Sequence, residues 1–233
     1  MFDAVLVPTA PGQDAGVAGA TARLIADAVG CEVEHLTVDD GDPIEVLLGL
    51  LSSRPSTLLC MATSARTGLS ELLVGSTTAA VLRAATHSVV VVGPHAVTPA
   101  SLAVIVACLD GSKTAERAAH AAAVWARMLS ARLHLVRVAP ESERGDPHDT
   151  TIDLERLAAD IHSGVGLRPE WEVLHSGDID DAIVRYAGDV RASLLAVTPH
   201  GQGASRRILG STAMRIVHAA PVPVLVAPAP ITD

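Results

Sequence analysis

The stretch GSTAMRIVHAAPVPVLVAP at residues 210–228 has a near copy, GSTTAAVLRAATHSVVVVGP, at residues 75–94. In each copy a Gly-Ser-Thr triplet precedes apolar residues at helical spacing and then a valine-rich run typical of a buried strand. Two copies so far apart in a chain of 233 residues indicate duplication of a whole domain. We therefore predict two domains, residues 1–97 and 98–233, joined through the Pro- and Gly-rich segment 93–101.

Each half alternates apolar, strand-like runs with amphipathic, helix-like segments. This alternation predicts an α/β fold with two Rossmann-like domains, each a parallel sheet with helices on both faces. For the first helix of each half, the spacing of apolar residues predicts which side chains face the sheet. In the first half these residues are Val17, Thr21, Leu24, Ile25 and Ala28, and in the second half Ala115, Ala118, Ala119, Ala122 and Ala126.

The two halves differ in length. GDPIEVLLGLL at residue 41 aligns with GDIDDAIVRYA at residue 177. These two segments are separated by more residues than the first strands of the two halves are. The first half therefore lacks about 36 residues, which is roughly one strand of 5–6 residues and one helix with their connections. We interpret the lost strand as the one beside strand one.

Composition excludes several classes of protein. Hydrophobic residues make up 49% and charged residues 18% of the chain, so it is not disordered, and the net charge of −9 offers no basic surface for nucleic acid. No apolar run reaches the ~18 residues of a membrane helix, and the start shows no secretory signal. Three widely spaced cysteines fit reduced thiols in the cytoplasm. No nucleophile–base pair, G-x-S-x-G motif or metal-ligand spacing is present, so no catalytic or metal residue is predicted.

Three loops are expected to meet where the strands of the second half end, because ligands of open parallel sheets bind at that edge. They are Asp110-Gly111-Ser112, the chain after Val138, and TPHGQGASRRILGST at residues 198–212. Glycines let backbone amides approach an anion, and a helix N-terminus adds a partial positive charge. The loops thus predict a site for a small anionic ligand.

These residues resemble the universal stress protein family in its tandem form, over essentially the whole chain. The resemblance is carried by LDGSKTAERAAHAAAVWA, where an acid ends strand one, and by LGSTAMRIVHAAPVPVLV, which follows the glycines of the last loop. It implies a Rossmann-like fold of the adenine nucleotide α-hydrolase-like type, ATP binding and a role in stress adaptation, often as a dimer. It also implies that Ser88–Val92 and Val222–Ala227 pair the two halves as an intramolecular pseudo-dimer.

The resemblance assigns roles by position. Asp110, followed by Gly111 and Ser112, falls on the acid that contacts the nucleoside, and Val138 falls on the residue whose backbone meets adenine. The phosphate loop corresponds to Thr198, Gly201, Gly210, Ser211 and Thr212. Two of its features depart from the family pattern: Thr198 replaces a glycine and precedes a proline, which favours extended backbone, and eight residues instead of nine separate the later glycines.

The first half departs further, since Ala10, Ala62 and Ala65 replace the acid and two loop glycines. The resemblance therefore implies a cytoplasmic stress protein that binds ATP or AMP, with or without Mg²⁺, in its second half, beside a degenerate first half. It leaves open a homodimer and slow ATP hydrolysis. A ligand-free scaffold that acts through protein contacts is the alternative, favoured by Thr198 and the shortened loop.

Overall fold

The computed structural model describes residues 2–38, 41–63, 75–85, 87–143, 148–199 and 210–227. In this part of the chain the strands are β1 (Ala4–Thr9), β2 (Glu32–Thr37), β3 (Thr57–Ala62), β4 (Val89–Val92), β5 (Val104–Leu109), β6 (Arg132–Ala139), β7 (Glu170–His175), β8 (Leu194–Val197) and β9 (Val224–Val226). The helices are α1 (Gly16–Val29), α2 (Pro43–Ser53), α3 (Ser76–Ala84), α4 (Lys113–Met128), α5 (His148–Val165), α6 (Ile179–Asp189) and α7 (Ser211–Ala219). The predicted α/β class is confirmed.

All of these strands belong to one mixed sheet with the order β2-β1-β3-β4-β9-β8-β5-β6-β7. Every neighbouring pair is parallel except β4 and β9, which run antiparallel with Val90 opposite Leu225. The two predicted parallel sheets are thus the two halves of a single continuous sheet. Because the halves run in opposite directions, the carboxyl ends of their strands lie at opposite edges of the molecule.

The deletion in the first half falls elsewhere than predicted. β2 pairs with β1 along its length, just as β6 pairs with β5, so the place beside strand one is filled in both halves. In the described chain, the first half has no counterpart of the outer strand β7 or of α5. β2 is therefore the edge strand of the sheet on this side, where the second half has β7 outside β6.

Helices cover both faces of the sheet and define two cores. On one face α1, α4 and α5 bury small and aliphatic side chains against the sheet, for example Ile25, Ala122 and Leu157. On the other face α2, α3, α6 and α7 do the same, for example with Leu82 and Ile216. Both cores include side chains from β4 and from β9, so packing continues across the junction of the two halves.

The connection after β4 strengthens that junction. Gly93 lies so close to α7 that a Cβ atom there would stand 2.0 Å from the carbonyl oxygen of Val217. The N–H of Val97 donates to the carbonyl of Pro221 over 3.0 Å. The two halves also meet where the ring of Phe2 packs on that of Trp125, with ring centroids 5.3 Å apart. The halves are therefore packed against each other and not tethered by a free linker.

Candidate functional site

The end of β5 and the start of α4 form the first part of the site. Asp110 is exposed, and its Oδ1 accepts a hydrogen bond from the N–H of Ser112 over 2.9 Å. The hydroxyl oxygen of Ser112 accepts from the N–H of Ala115 over 3.1 Å and so caps α4. Asp110 and Ser112, which the sequence assigns to ligand binding, therefore also form hydrogen bonds within this turn.

Gly111 has a positive φ of 79°, in the left-handed region that favours glycine. A Cβ atom at this position would lie 2.9 Å from Cζ of Arg137 and 3.0 Å from both of its terminal nitrogens. The guanidinium therefore rests directly against the Gly111 backbone. Sequence reasoning missed Arg137, and the signal that points to it is the pairing of β5 with β6, which sets Arg137 beside Leu109.

Val138 is the residue after Arg137 and reaches the same edge of the sheet. It is partly buried and packs on the opposite face, against the core under α6 and α7. It pairs with Leu174 of β7. Its backbone therefore lies next to the Asp110 turn while its side chain faces away from Arg137, as alternation along a strand requires.

The connection from β8 to α7 contributes the third part. Thr198 is partly buried directly after β8, and the N–H of Gly210 donates to the carbonyl of Pro199 over 2.7 Å. This bond ties together the two ends of the loop, while Gly201 and residues 200–209 in general lie outside the described residues. Gly210 precedes α7 in an extended conformation, and no side chain caps the helix. Ser211 and Thr212 are the first two residues of α7.

The strand order brings these parts together, because β8 and β6 are the two neighbours of β5. Every predicted site residue that the structure describes lies at this one edge of the sheet: Asp110, Gly111, Ser112, Val138, Thr198, Gly210, Ser211 and Thr212. Neighbouring strands are about 4.8 Å apart, so the β6 and β8 ends are separated by about 10 Å. That span suits a ligand with a nucleoside at one end and phosphates at the other.

A small cleft of about 20 Å³ opens at this edge between α4, α5 and β6. It is lined by Leu109, Gly111, Ser112, Ala115, Glu116, Arg137, Asp153, Leu154 and Leu157. Arg156 ties its two helical walls together, since it donates to Glu116 of α4 over 2.6 Å from its place in α5. Hydrogen bonding to Glu116 raises the pKa of Arg156 above its usual range.

The described residues show no membrane or metal signature. Their helices are all too short or too polar to span a bilayer. They also contain no group of three or more His, Cys, Asp or Glu side chains placed to hold a metal ion. The three cysteines are unpaired thiols, and burial raises the pKa of Cys60 to about 12.

Two long segments of the chain match one known protein family. The model of the universal stress protein family matches the chain twice, over residues 1–93 and 103–228. The two matches cover nearly the whole chain, so the protein belongs to the universal stress protein family in a tandem arrangement. A search among curated proteins finds no sequence match.

Solved structures with the same fold include a universal stress protein from Archaeoglobus fulgidus, with 21% identity, a TM-score of 0.70 and coverage of 97% of this chain and 98% of that one. A protein of unknown function from Pseudomonas aeruginosa has 18% identity, a TM-score of 0.68 and coverage of 98% and 93%. Both are similar over both halves and show the fold. A universal stress protein in complex with cAMP has 25% identity, a TM-score of 0.45 and coverage of 54% of this chain and 95% of that one.

Proposed function

We propose that the second half binds an adenine nucleotide, ATP or AMP, as a regulatory ligand, and that the chain is a cytoplasmic stress-response protein without a catalytic site. The observation that carries this proposal is the convergence of the Asp110 turn, the Val138 backbone and the uncapped start of α7 at one edge of the sheet. Ligands of open parallel sheets bind in this place.

The start of α7 is the proposed phosphate-binding element. Among the described residues, a side chain accepts a backbone N–H at the start of three helices (Asp42 before α2, Ser112 before α4 and Asp178 before α6), whereas α1, α3 and α7 start without such a cap. Gly210 has no side chain to do so before α7. The N–H groups of the first turn are then available to phosphate oxygens, with the positive end of the helix dipole behind them.

Asp110 is the proposed nucleoside-binding acid. Its carboxylate is exposed at the end of β5, midway between the β6 and β8 ends. A carboxylate in this position can accept hydrogen bonds from ribose hydroxyls. Mg²⁺, where required, would arrive with the phosphates, because the described residues supply no cluster of metal ligands.

We further propose that residues 1–97 and 98–233 are the two domains and that the first serves the fold, not ligand binding. Ala10 follows strand one in the first half, so this half lacks a carboxylate equivalent to Asp110. The antiparallel β4–β9 pair supports the view that the first domain acts as the intramolecular partner of the second. Any homodimer would then be an assembly of four such domains.

The first test is the absorbance ratio at 260 and 280 nm of freshly purified protein, followed by chromatography of the supernatant released by heat. Because the chain has only two Trp and one Tyr, even partial nucleotide occupancy would raise the ratio. Release of an adenine nucleotide supports the proposal. A protein spectrum without nucleotide, together with no heat on titration with ATP and Mg²⁺, would overturn it.

A matched pair of variants then tests the role of Asp110. Asp110→Asn keeps an oxygen that accepts from Ser112 but removes the charge, so we expect affinity for ATP to fall about ten- to a hundredfold while the fold is retained. Asp189→Asn makes the same change at an exposed position at the end of α6 and should leave affinity unchanged. Equal affinity in both variants would remove Asp110 from the site.

The size of the cleft favours a second candidate, a scaffold that acts through protein contacts without a ligand. At about 20 Å³ the cleft is far smaller than the 300–1,000 Å³ of typical small-molecule pockets. The scaffold predicts that neither ATP nor AMP changes the thermal stability of the protein. Nucleotide binding predicts that either ligand raises it in a concentration-dependent way.

A further inference from the structure

Arg137 stands out at the candidate site because it is a charged residue at the end of an apolar row. Leu133 and Leu135 of β6 are fully buried under α4 and α5. Arg137 continues that row on the same face, since side chains two apart on a strand point the same way. Its side chain is only 25% exposed. Burying a guanidinium there costs more free energy than burying another leucine would, unless hydrogen bonds satisfy its N–H donors.

The described residues leave those donors largely unused. The ion pair of Arg137 Nη1 with Asp153 Oδ2 spans 3.9 Å, which is longer than a hydrogen bond, and the Asp153 side chain is 56% exposed. No hydrogen bond joins the Arg137 guanidinium to another described residue. A planar group with five N–H donors at the wall of a cleft is therefore able to donate hydrogen bonds to an oxyanion of a ligand.

The Arg137 guanidinium reaches the turn that follows β5, the middle strand of the site. It extends from β6 across to Gly111, which follows β5, and β5 is the neighbour of β8 in the sheet. The start of α4, with its own partial positive charge, lies beside it. A phosphate chain that ran from the start of α7 over the end of β5 toward β6 would meet a second positive group here.

We propose that Arg137 is a ligand-binding residue that donates hydrogen bonds to the phosphate chain of the nucleotide. The proposal rests on the proposed function of this site and adds a residue to it. It also offsets the two departures of the phosphate loop, the loss of a glycine at Thr198 and the shorter spacing before Gly210, because a side-chain cation replaces backbone donors. In the first half the residue paired with the end of strand one is Thr37, which carries no charge.

The experiment is calorimetric titration of the full chain with ATP, AMP and adenosine. We expect Arg137→Met to weaken binding of ATP about ten- to a hundredfold and binding of adenosine by less than twofold. Arg137→Lys should recover part of the loss, since it restores charge but not the planar fork. Arg185→Met, which removes an exposed arginine of α6, is the control and should bind ATP as the unmodified chain does.

Unchanged or tighter binding of ATP by Arg137→Met would overturn the proposal, because the arginine would then only fill the cleft. A second measurement separates this failure from that of the proposed function. The Nε–Hε NMR signal of Arg137, assigned by its absence in Arg137→Met, is followed on titration with inorganic phosphate against sodium chloride of equal ionic strength. A saturable shift of Arg137, with Arg185 unmoved, supports anion binding even if no nucleotide binds; no shift with either phosphate or nucleotide overturns it.

Discussion

The two halves of this protein share a fold but differ at the positions where a ligand would bind. Strand one is followed by Ala10 in the first half and by Asp110 in the second. The neighbouring strand contributes Thr37 in the first half and Arg137 in the second, at equivalent positions of the pairing. What duplication kept is the packing of strands and helices; what it changed is the charge at the carboxyl edge. Retention of the fold therefore does not imply retention of the site.

The halves also differ in how they close the junction. β4 is followed by Gly93, which touches the α7 backbone, whereas β9 is followed by the buried Ala227. Each half thus contributes a different surface to a contact that looks symmetric in its strand pairing. Two identical chains would have to place the same residues on both sides of such a contact. The two halves of one tandem chain can carry different residues, so this difference is possible.

The largest effect is expected where the junction is tightest. Gly93→Ala would force its Cβ against the carbonyl oxygen of Val217, so we expect a loss of about 2–4 kcal/mol in the free energy of unfolding. Urea denaturation followed by circular dichroism measures it. Gly49→Ala in α2, where a Cβ meets nothing within 4 Å, is the control and should gain about 0.5–1 kcal/mol. A loss below 0.5 kcal/mol for Gly93→Ala would show that the junction adapts easily.

A smaller effect is expected from the helix that follows strand one. Ser112→Ala removes the side-chain cap of α4 and should cost about 1 kcal/mol. Ala15 occupies the same place before α1, but its backbone is helical at φ −66° and ψ −21° instead of extended. Ala15→Ser should therefore change stability by less than about 0.3 kcal/mol. Thermal unfolding of both variants checks the contrast, and equal effects would show that the two turns are interchangeable.

The smallest effect concerns pH and the strand beside strand one. His134 lies opposite Val106, where the first half has Glu34 opposite Leu6. Burial lowers the pKa of His134 below its ordinary 6.5, and Glu170, with Oε1 3.8 Å from Nε2, opposes this only in part. The folded state therefore favours the neutral ring, so its contribution to stability is present above pH 6.5 and lost as the pH falls through the lowered pKa.

We accordingly expect His134→Gln to lose less stability between pH 7 and pH 5 than the unmodified chain does, whatever its stability at pH 7. The denaturation midpoint measured at several pH values gives this slope. His162→Gln, at an exposed position of α5, should leave the slope unchanged. The same slope in all three proteins would mean that His134 does not contribute to the acid sensitivity.

Much of the fold could be predicted because periodicity reports burial directly. The alanine face of α4 is buried as predicted, from Ala115 to Ala126. The face of α1 was predicted less well: Ala28 is exposed, and Ala18, Ala22 and Ala26 are buried instead. In a helix this rich in small residues several faces are apolar enough to pack, and the shape of the sheet selects among them.

The sequence by itself determined the duplication, the alternation of strands and helices, and the set of loops that meet at one edge, because these follow from local residue patterns and the rules of parallel sheets. Only the tertiary structure decided that β2 takes the place beside β1, that β4 and β9 merge the halves into one sheet, and that Arg137 rests on Gly111. Each of these depends on contacts between residues distant in the chain, and a local pattern of residues does not specify which distant partner a strand or a long side chain will meet.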